Sequence, residues 1–314
     1  MKQLLKHNLK KAILLLIMVA LSLATSLTGL QGVQAEEEKQ LRIVTSFYPM
    51  YALTKTLVGD LHDVRMINSA NGIHGFEPSV KDVAAIQESD IFIYHSNILE
   101  SWAKKLMGNL KASGVEVVEA SKGLEMEKVP GLENLGKIKG MKEESSYDPH
   151  TWLDPVEAAD EIQLIADALS KIDPDNESTY QERAKAFKEE ADSLVSEYQD
   201  KFNALSNKTF VTQHTAFSYL ARRFGLEQLG IAGVSSDIEP GSKKMIEVQK
   251  FIQDHAIKTI FVEPNVSPKS AETIAQATGV DVQQMSPLES DPQNDKTFLE
   301  NLRQVLETLY EGLK

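Results

Sequence analysis

The stretch Phe210-Val211-Thr212-Gln213-His214-Thr215-Ala216-Phe217-Ser218-Tyr219-Leu220 decides how the chain folds. Three apolar or β-branched residues make a short strand, a polar turn follows, and a helical pattern starts near Ser218. An earlier stretch has the same layout, since Ile43-Val44-Thr45 leads into a helix containing Tyr51-Ala52-Leu53. The likeness continues downstream. Gln87-Glu88-Ser89-Asp90-Ile91-Phe92-Ile93 has a counterpart in His255-Ala256-Ile257-Lys258-Thr259-Ile260-Phe261, and Gly114-Val115 matches Gly279-Val280. Matches in a common order point to two similar halves.

The strand candidates are short and apolar, as expected where helices cover both faces of a sheet. In the first half they are Leu41–Thr45, Asp63–Ile67, Ile91–Tyr94 and Val115–Glu119; in the second, Thr209–Thr212, Gln228–Ala232, Thr259–Glu263 and Asp281–Met285. Helical patterns lie between them at Pro49–Val58, Ser79–Glu88, Ser242–His255 and Pro268–Thr278. The expected fold is α/β: two similar lobes, each a mostly parallel four-stranded sheet flanked by helices, joined by one long helix. That helix starts at Asp173-Pro174, where proline suits the first turn and acidic residues suit the dipole. Its apolar stripe runs through Tyr180, Ala184, Phe187, Ala191, Leu194, Tyr198, Phe202 and Leu205. This is about seven turns, or roughly 40 Å. A coiled-coil dimer competes for such a stripe. Alanines alternate with aromatics and one step stretches the heptad, so the stripe is expected to pack against both lobes of a monomer. A helical connection also disfavours closure by a wide hinge. The chain thus divides into residues 1–35, an N-terminal lobe at 36–172, a connecting helix at 173–206 and a C-terminal lobe at 207–314.

Residues 1–35 have a basic start, an apolar run from Ala12 to Ala24, and small residues before an acidic stretch at Val33-Gln34-Ala35. This is the pattern of a secretory signal peptide, and the product is expected to be exported. The segment holds four lysines and no acidic residue, so its loss makes the formal charge of −13 more negative by four. So acidic a surface repels phosphate backbones, and nucleic-acid binding is not expected. Cysteine is absent, which excludes disulfides, iron–sulfur clusters, thiol catalysis and thiolate metal sites. It also removes the lipobox cysteine of a lipoprotein signal.

With no cysteine, histidine is the ligand for a borderline-soft metal. His7 lies in the signal. His62 sits in a polar turn and is expected to be exposed and unpaired; His95 ends a strand, where a polar cap is favoured over a site role; His255 near a helix end suits the dipole. His74, His150 and His214 differ. His74 lies in Asn71-Gly72-Ile73-His74-Gly75-Phe76-Glu77-Pro78, and His150 in Asp148-Pro149-His150-Thr151-Trp152-Leu153-Asp154-Pro155. His214 closes the first strand of the second lobe. All three fall beyond the carboxyl ends of strands, where ligands of open α/β sheets gather. A fourth ligand should be a carboxylate at a strand end of the second lobe, and position alone leaves Glu239, Glu263 and Glu289 open.

These segments carry a resemblance. Val44-Thr45-Ser46-Phe47-Tyr48-Pro49-Met50-Tyr51, the His74, His150 and His214 segments, and Ser286-Pro287-Leu288-Glu289 occur in order across nearly all of the mature chain. The chain resembles the zinc-binding solute-receptor family of bacterial ABC importers, and within it the streptococcal laminin-binding type. The resemblance implies a Zn2+ cargo held by His74 and His150 from one lobe and by His214 and Glu289 from the other. It implies delivery to an ABC permease served by a separate ATPase, with laminin as a further partner. Relatives devoted to manganese tend to carry a carboxylate where His214 stands, and imidazole suits zinc better than manganese. Asp148, Glu77 and Asp154 are expected to orient imidazole rings, from their closeness in sequence. Glu125 to Tyr147 contains no histidine and is expected to form a flap at the mouth of the site. Release, retention through the uncleaved signal, and a periplasm all stay open as locations.

An enzyme is not expected. Catalytic zinc keeps a position open for water, which four protein ligands would close, and neither H-E-x-x-H nor a nucleophile elbow occurs. No Walker-type loop occurs, so energy for transport must come from another chain. The alternatives are a manganese receptor of the same family and a protein that is primarily a surface adhesin.

Overall fold

The computed structural model describes residues 40–68, 72–129, 147–234 and 240–314. The expected signal at 1–35, Glu239 and most of the expected flap lie outside the described residues. Residues Gln40–Lys314 form one compact unit.

In chain order the first half contains β1 (Arg42–Thr45), α1 (Tyr48–Val58), β2 (Asp63–Met66), α2 (Val80–Gln87), β3 (Ile91–Tyr94), α3 (Met107–Ala112) and β4 (Glu116–Glu119). Next come α4 (Pro155–Ile172) and the long α5 (Glu177–Asn203). The second half follows with β5 (Thr209–Thr212), α6 (Ser218–Arg223), β6 (Glu227–Gly230), α7 (Ser242–Asp254), β7 (Thr259–Val262), α8 (Lys269–Thr278), β8 (Asp281–Gln284) and α9 (Phe298–Leu313). Each expected strand is found within one or two residues of its place.

Both sheets are four-stranded and all parallel, with orders β2-β1-β3-β4 and β6-β5-β7-β8. In each, the first strand is central and the chain reverses direction of travel between it and the third. That reversal opens a crevice beyond the carboxyl ends of the strands. The inner strands β3, β5 and β7 are buried throughout, as covering helices require. Edge strand β8 departs from the expectation of two covered faces, because all four of its residues are exposed.

Helix starts follow capping chemistry. Ser79 and Thr297 each close a capping box, with Asp82 and Glu300 respectively, at the heads of α2 and α9. Gly279 ends α8 at φ +79°, a left-handed conformation that costs glycine little. The long helix opens on a 3-10 turn at Pro174–Asn176. Its stripe Tyr180, Ala184, Phe187, Ala191, Leu194, Tyr198 and Phe202 is buried, whereas Leu205, expected on the same stripe, lies past the helix end and is half-buried. It packs against α1 and α4 of the first half and α9 of the second. Phe187 meets Phe298, and Phe202 meets Phe224 and Tyr310. One apolar core therefore runs from Leu41 through the long helix to Leu313.

Two histidines are not where the sequence placed them. His62 is buried rather than exposed: its Nδ1 accepts the Leu41 N–H, and its Nε2 lies 2.8 Å from Asp173 and 2.9 Å from the Tyr180 hydroxyl. The turn that carries it is pinned beneath the start of the long helix, a contact 111 residues distant in sequence. His95 is no polar cap either. It is wholly buried, with Nε2 2.8 Å from the Thr151 hydroxyl and 3.3 Å from Glu161.

Candidate metal centre

Four loops converge on one point. The loop after β2 is held by Asn68, buried below β1 through its N–H to the Ser46 carbonyl, and it presents His74 on a tight turn. His150 stands on a loop whose backbone is fixed by Asp148. One Asp148 carboxylate oxygen accepts the His150 backbone N–H at 3.0 Å and faces its Nδ1 at 2.7 Å. His214 follows β5, where the Thr212 hydroxyl and the Gln228 amide both bind its carbonyl. Glu289 follows β8 on a turn in which Ser286 Oγ accepts the Leu288 N–H and Leu288 adopts φ +56°.

The side chains meet closely. Glu289 Oε1 lies 3.3 Å from His74 Nε2, 3.3 Å from His150 Nε2 and 3.2 Å from His214 Nε2. His150 Nε2 is 3.1 Å from His74 Nε2 and 3.4 Å from His214 Nε2. All four ligand atoms lie within 4.8 Å of one another, and no other such cluster occurs among the described residues. A tetrahedral ion with bonds near 2.0–2.1 Å needs its ligands about 3.3–3.4 Å apart. Five of the six separations, at 3.1–3.4 Å, are close to that spacing. His150, His214 and Glu289 are buried, while His74 is partly open to a cavity of about 1300 Å³.

Outer carboxylates settle which ring nitrogen faces inward. Asp148 takes the Nδ1–H of His150, and Glu263 takes that of His214, leaving each Nε2 lone pair for the centre. Glu263, open in sequence as a ligand, thus stands behind one. The signal was available in strand adjacency: β5 and β7 are neighbours, so the residues just past their ends, His214 and Glu263, must lie side by side. Two other expected ring-orienting residues are elsewhere. Glu77 is exposed at the cavity wall and bonds none of the histidines. Asp154 caps α4 through the Val156 N–H and pairs with Arg223 at 2.8 Å, facing away from the rings.

Electrostatics follow from this packing. Burial works against charge on His214, yet hydrogen bonds to Glu263 and Glu289 outweigh it and push the ring up to about 10. Burial likewise opposes charge on Glu289, but the three imidazoles hold its carboxyl well below the usual range. His150 is raised, with Asp148 overcoming burial. The carboxylates around His150 and His214 thus favour positive charge at the point where the four side chains meet. The site offers three neutral-capable imidazoles and one carboxylate, a donor set for zinc rather than for oxygen-seeking ions.

The sequence contacts beyond the centre are with aromatics. Trp152 is fully buried, and its indole N–H donates to the Pro287 carbonyl at 2.9 Å. Tyr219 of α6 donates to the Asp148 carbonyl at 3.0 Å and accepts the Glu127 N–H. Neither contact was read from the sequence, since each joins halves 71 or more residues apart.

The chain is similar to several known proteins. Zinc-binding lipoprotein AdcA of Streptococcus pneumoniae is 35% identical over 285 residues, covering 90% of this chain. The chain spans 56% of that relative's length. A Zn(II)-bound variant of S. pneumoniae AdcAII superposes with a TM-score of 0.82 at 54% identity, covering 88% of this chain and 99% of that one. The laminin-binding protein of Streptococcus agalactiae, described as a bifunctional protein with adhesin and metal transporting activity, gives 0.79 at 52% identity over 87% of this chain and 99% of that one. A family model described as zinc-uptake complex component A, periplasmic, matches residues 43–312, and the chain belongs to that ZnuA family.

Proposed function

We propose that this protein is an extracytoplasmic receptor that binds Zn2+ through His74, His150, His214 and Glu289 and delivers it to an ABC-type permease powered by a separate ATPase. One observation carries the reading: a single carboxylate oxygen lies within 3.3 Å of three inward-facing Nε2 atoms. Those are the spacings of a closed tetrahedral site, which holds an ion rather than presenting it to water and substrate. The two α/β lobes, at 36–172 and 207–314, each supply two of the four ligands, with the helix at 173–206 between them. Export through the N-terminal signal places the site where scarce metal must be captured.

The test is calorimetry on His214→Ala. Zinc affinity should fall by orders of magnitude while circular dichroism stays that of the parent. Unchanged affinity would count directly against the site. Elemental analysis of protein purified without added metal, with competition between zinc and manganese, decides the cargo. Laminin binding is a second reading, supported by the adhesin named among the relatives. It is separated from transport by assaying metal-free His214→Ala on immobilised laminin.

A further inference from the structure

Trp152 touches both sides of the centre. It follows His150 by two residues on the 3-10 turn Thr151–Leu153, and its ring packs edge-on against His150 at 5.2 Å between centroids. His95 and Phe47 hold the ring from the other sides, at 5.0 and 5.1 Å. Its indole N–H reaches the Pro287 carbonyl, two residues before Glu289. Between that carbonyl and the ligand stands Leu288, a buried leucine at φ +56°. A bulky residue is seldom stable in the left-handed region unless its surroundings impose it. Here the Ser286 hydroxyl bond, the buried leucine side chain and the indole bond together define the turn.

We infer that Trp152 is a positioning residue: its indole N–H fixes the turn at Pro287-Leu288 so that the Glu289 carboxylate stands ready opposite His150 before an ion arrives. This rests on the zinc-receptor reading. The side chain is anchored in the first half and the carbonyl belongs to the second, so the bond sets a distance that neither half sets alone. It acts at the Pro287 backbone rather than at the metal, and its loss leaves a buried carbonyl unpaired and the turn free to relax. Outer contacts of this kind change metal affinity by about 10–100-fold when removed.

The experiment is Trp152→Phe, which keeps an aromatic ring and removes the donor. Zinc affinity by chelator competition should fall about tenfold or more. The Co2+-substituted protein should lose its tetrahedral d–d absorption in favour of a weaker, higher-coordinate spectrum as water replaces the carboxylate. A cycle with Glu289→Gln assigns the route: in that background Trp152→Phe should change affinity about twofold or less. If the full loss persists there, or if Trp152→Phe binds like the parent while His214→Ala does not, the inference is overturned and the receptor reading stands. If the parent itself binds no zinc, the receptor reading fails. Should Trp152→Phe not fold, benzothienylalanine in place of both tryptophans removes the donor isosterically. The other site, Trp102, has a buried indole nitrogen with no hydrogen-bond partner, so the change reads out at residue 152. Parent-like affinity and Co2+ spectrum in that protein would likewise overturn the inference.

Discussion

Loading the site with zinc should expel protons. In the metal-free protein His214 lies between Glu263 on Nδ1 and Glu289 on Nε2, which push it up to about 10 against the effect of burial. At neutral pH the ring is therefore an imidazolium whose Nε2–H occupies the position a cation would take. Zinc needs that lone pair, so each ion bound releases one proton from His214. His150, raised by Asp148 despite burial, adds to the count. Apparent affinity should then climb at least tenfold per pH unit, or at least about a hundredfold from pH 6 to pH 8. The stability of the metal-free protein has the opposite slope. A histidine raised on folding contributes fully below its unfolded value near 6.5, and the contribution is lost as pH rises through about 10. Calorimetry at pH 7 in two buffers of different ionisation enthalpy counts the protons, and chelator competition across the pH range gives the slope. Glu263→Gln keeps the shape and removes one charge, so proton release and affinity should both fall, affinity by about tenfold or more. A flat affinity profile with no proton release would refute the reasoning.

Two further outcomes follow from the packing around the centre. A Cβ at Gly230 would lie 2.7 Å from the Ala232 carbonyl and 2.9 Å from the Thr215 N, backbone atoms that cannot yield cheaply. Gly230→Ala should therefore displace the residue after His214, lowering the denaturation midpoint and weakening zinc binding in calorimetry together. Asp154 is fully buried, caps α4 and takes both Nε and Nη2 of Arg223. Asp154→Ala should cost about 2–4 kcal/mol in urea unfolding while leaving zinc stoichiometry unchanged.

The architecture was legible because apolar runs and turn residues act locally. Ile91–Tyr94 and Thr209–Thr212 are found with the expected bounds, and the stripe on the long helix is buried as its spacing demands. His74, His150 and His214 were visible through their stiff loops beyond strand ends. Which carboxylate meets them was not visible from position, because Glu263 follows β7 directly and Glu289 follows β8 on a turn, and only the fold shows that they face opposite nitrogens of His214. His62 was misplaced for a related reason. A polar turn reads as solvated until Asp173 and Tyr180, more than a hundred residues on, close over it. What the Trp152 indole nitrogen reaches, a carbonyl 135 residues on, is likewise visible only in the folded chain.

The apolar seam shared by the long helix and α9 has a consequence for how the molecule can be divided. Phe298 is wedged between Tyr48 and Phe187, and Phe202 between Phe224 and Tyr310, so a cut in the segment at 204–208 strips neither piece of its need for the other. Each fragment alone would show water a row of aromatic rings. Mixed, the two should reassemble without a covalent link, and recovery of ion binding would report that reunion, which makes the chain a natural substrate for a split-protein sensor.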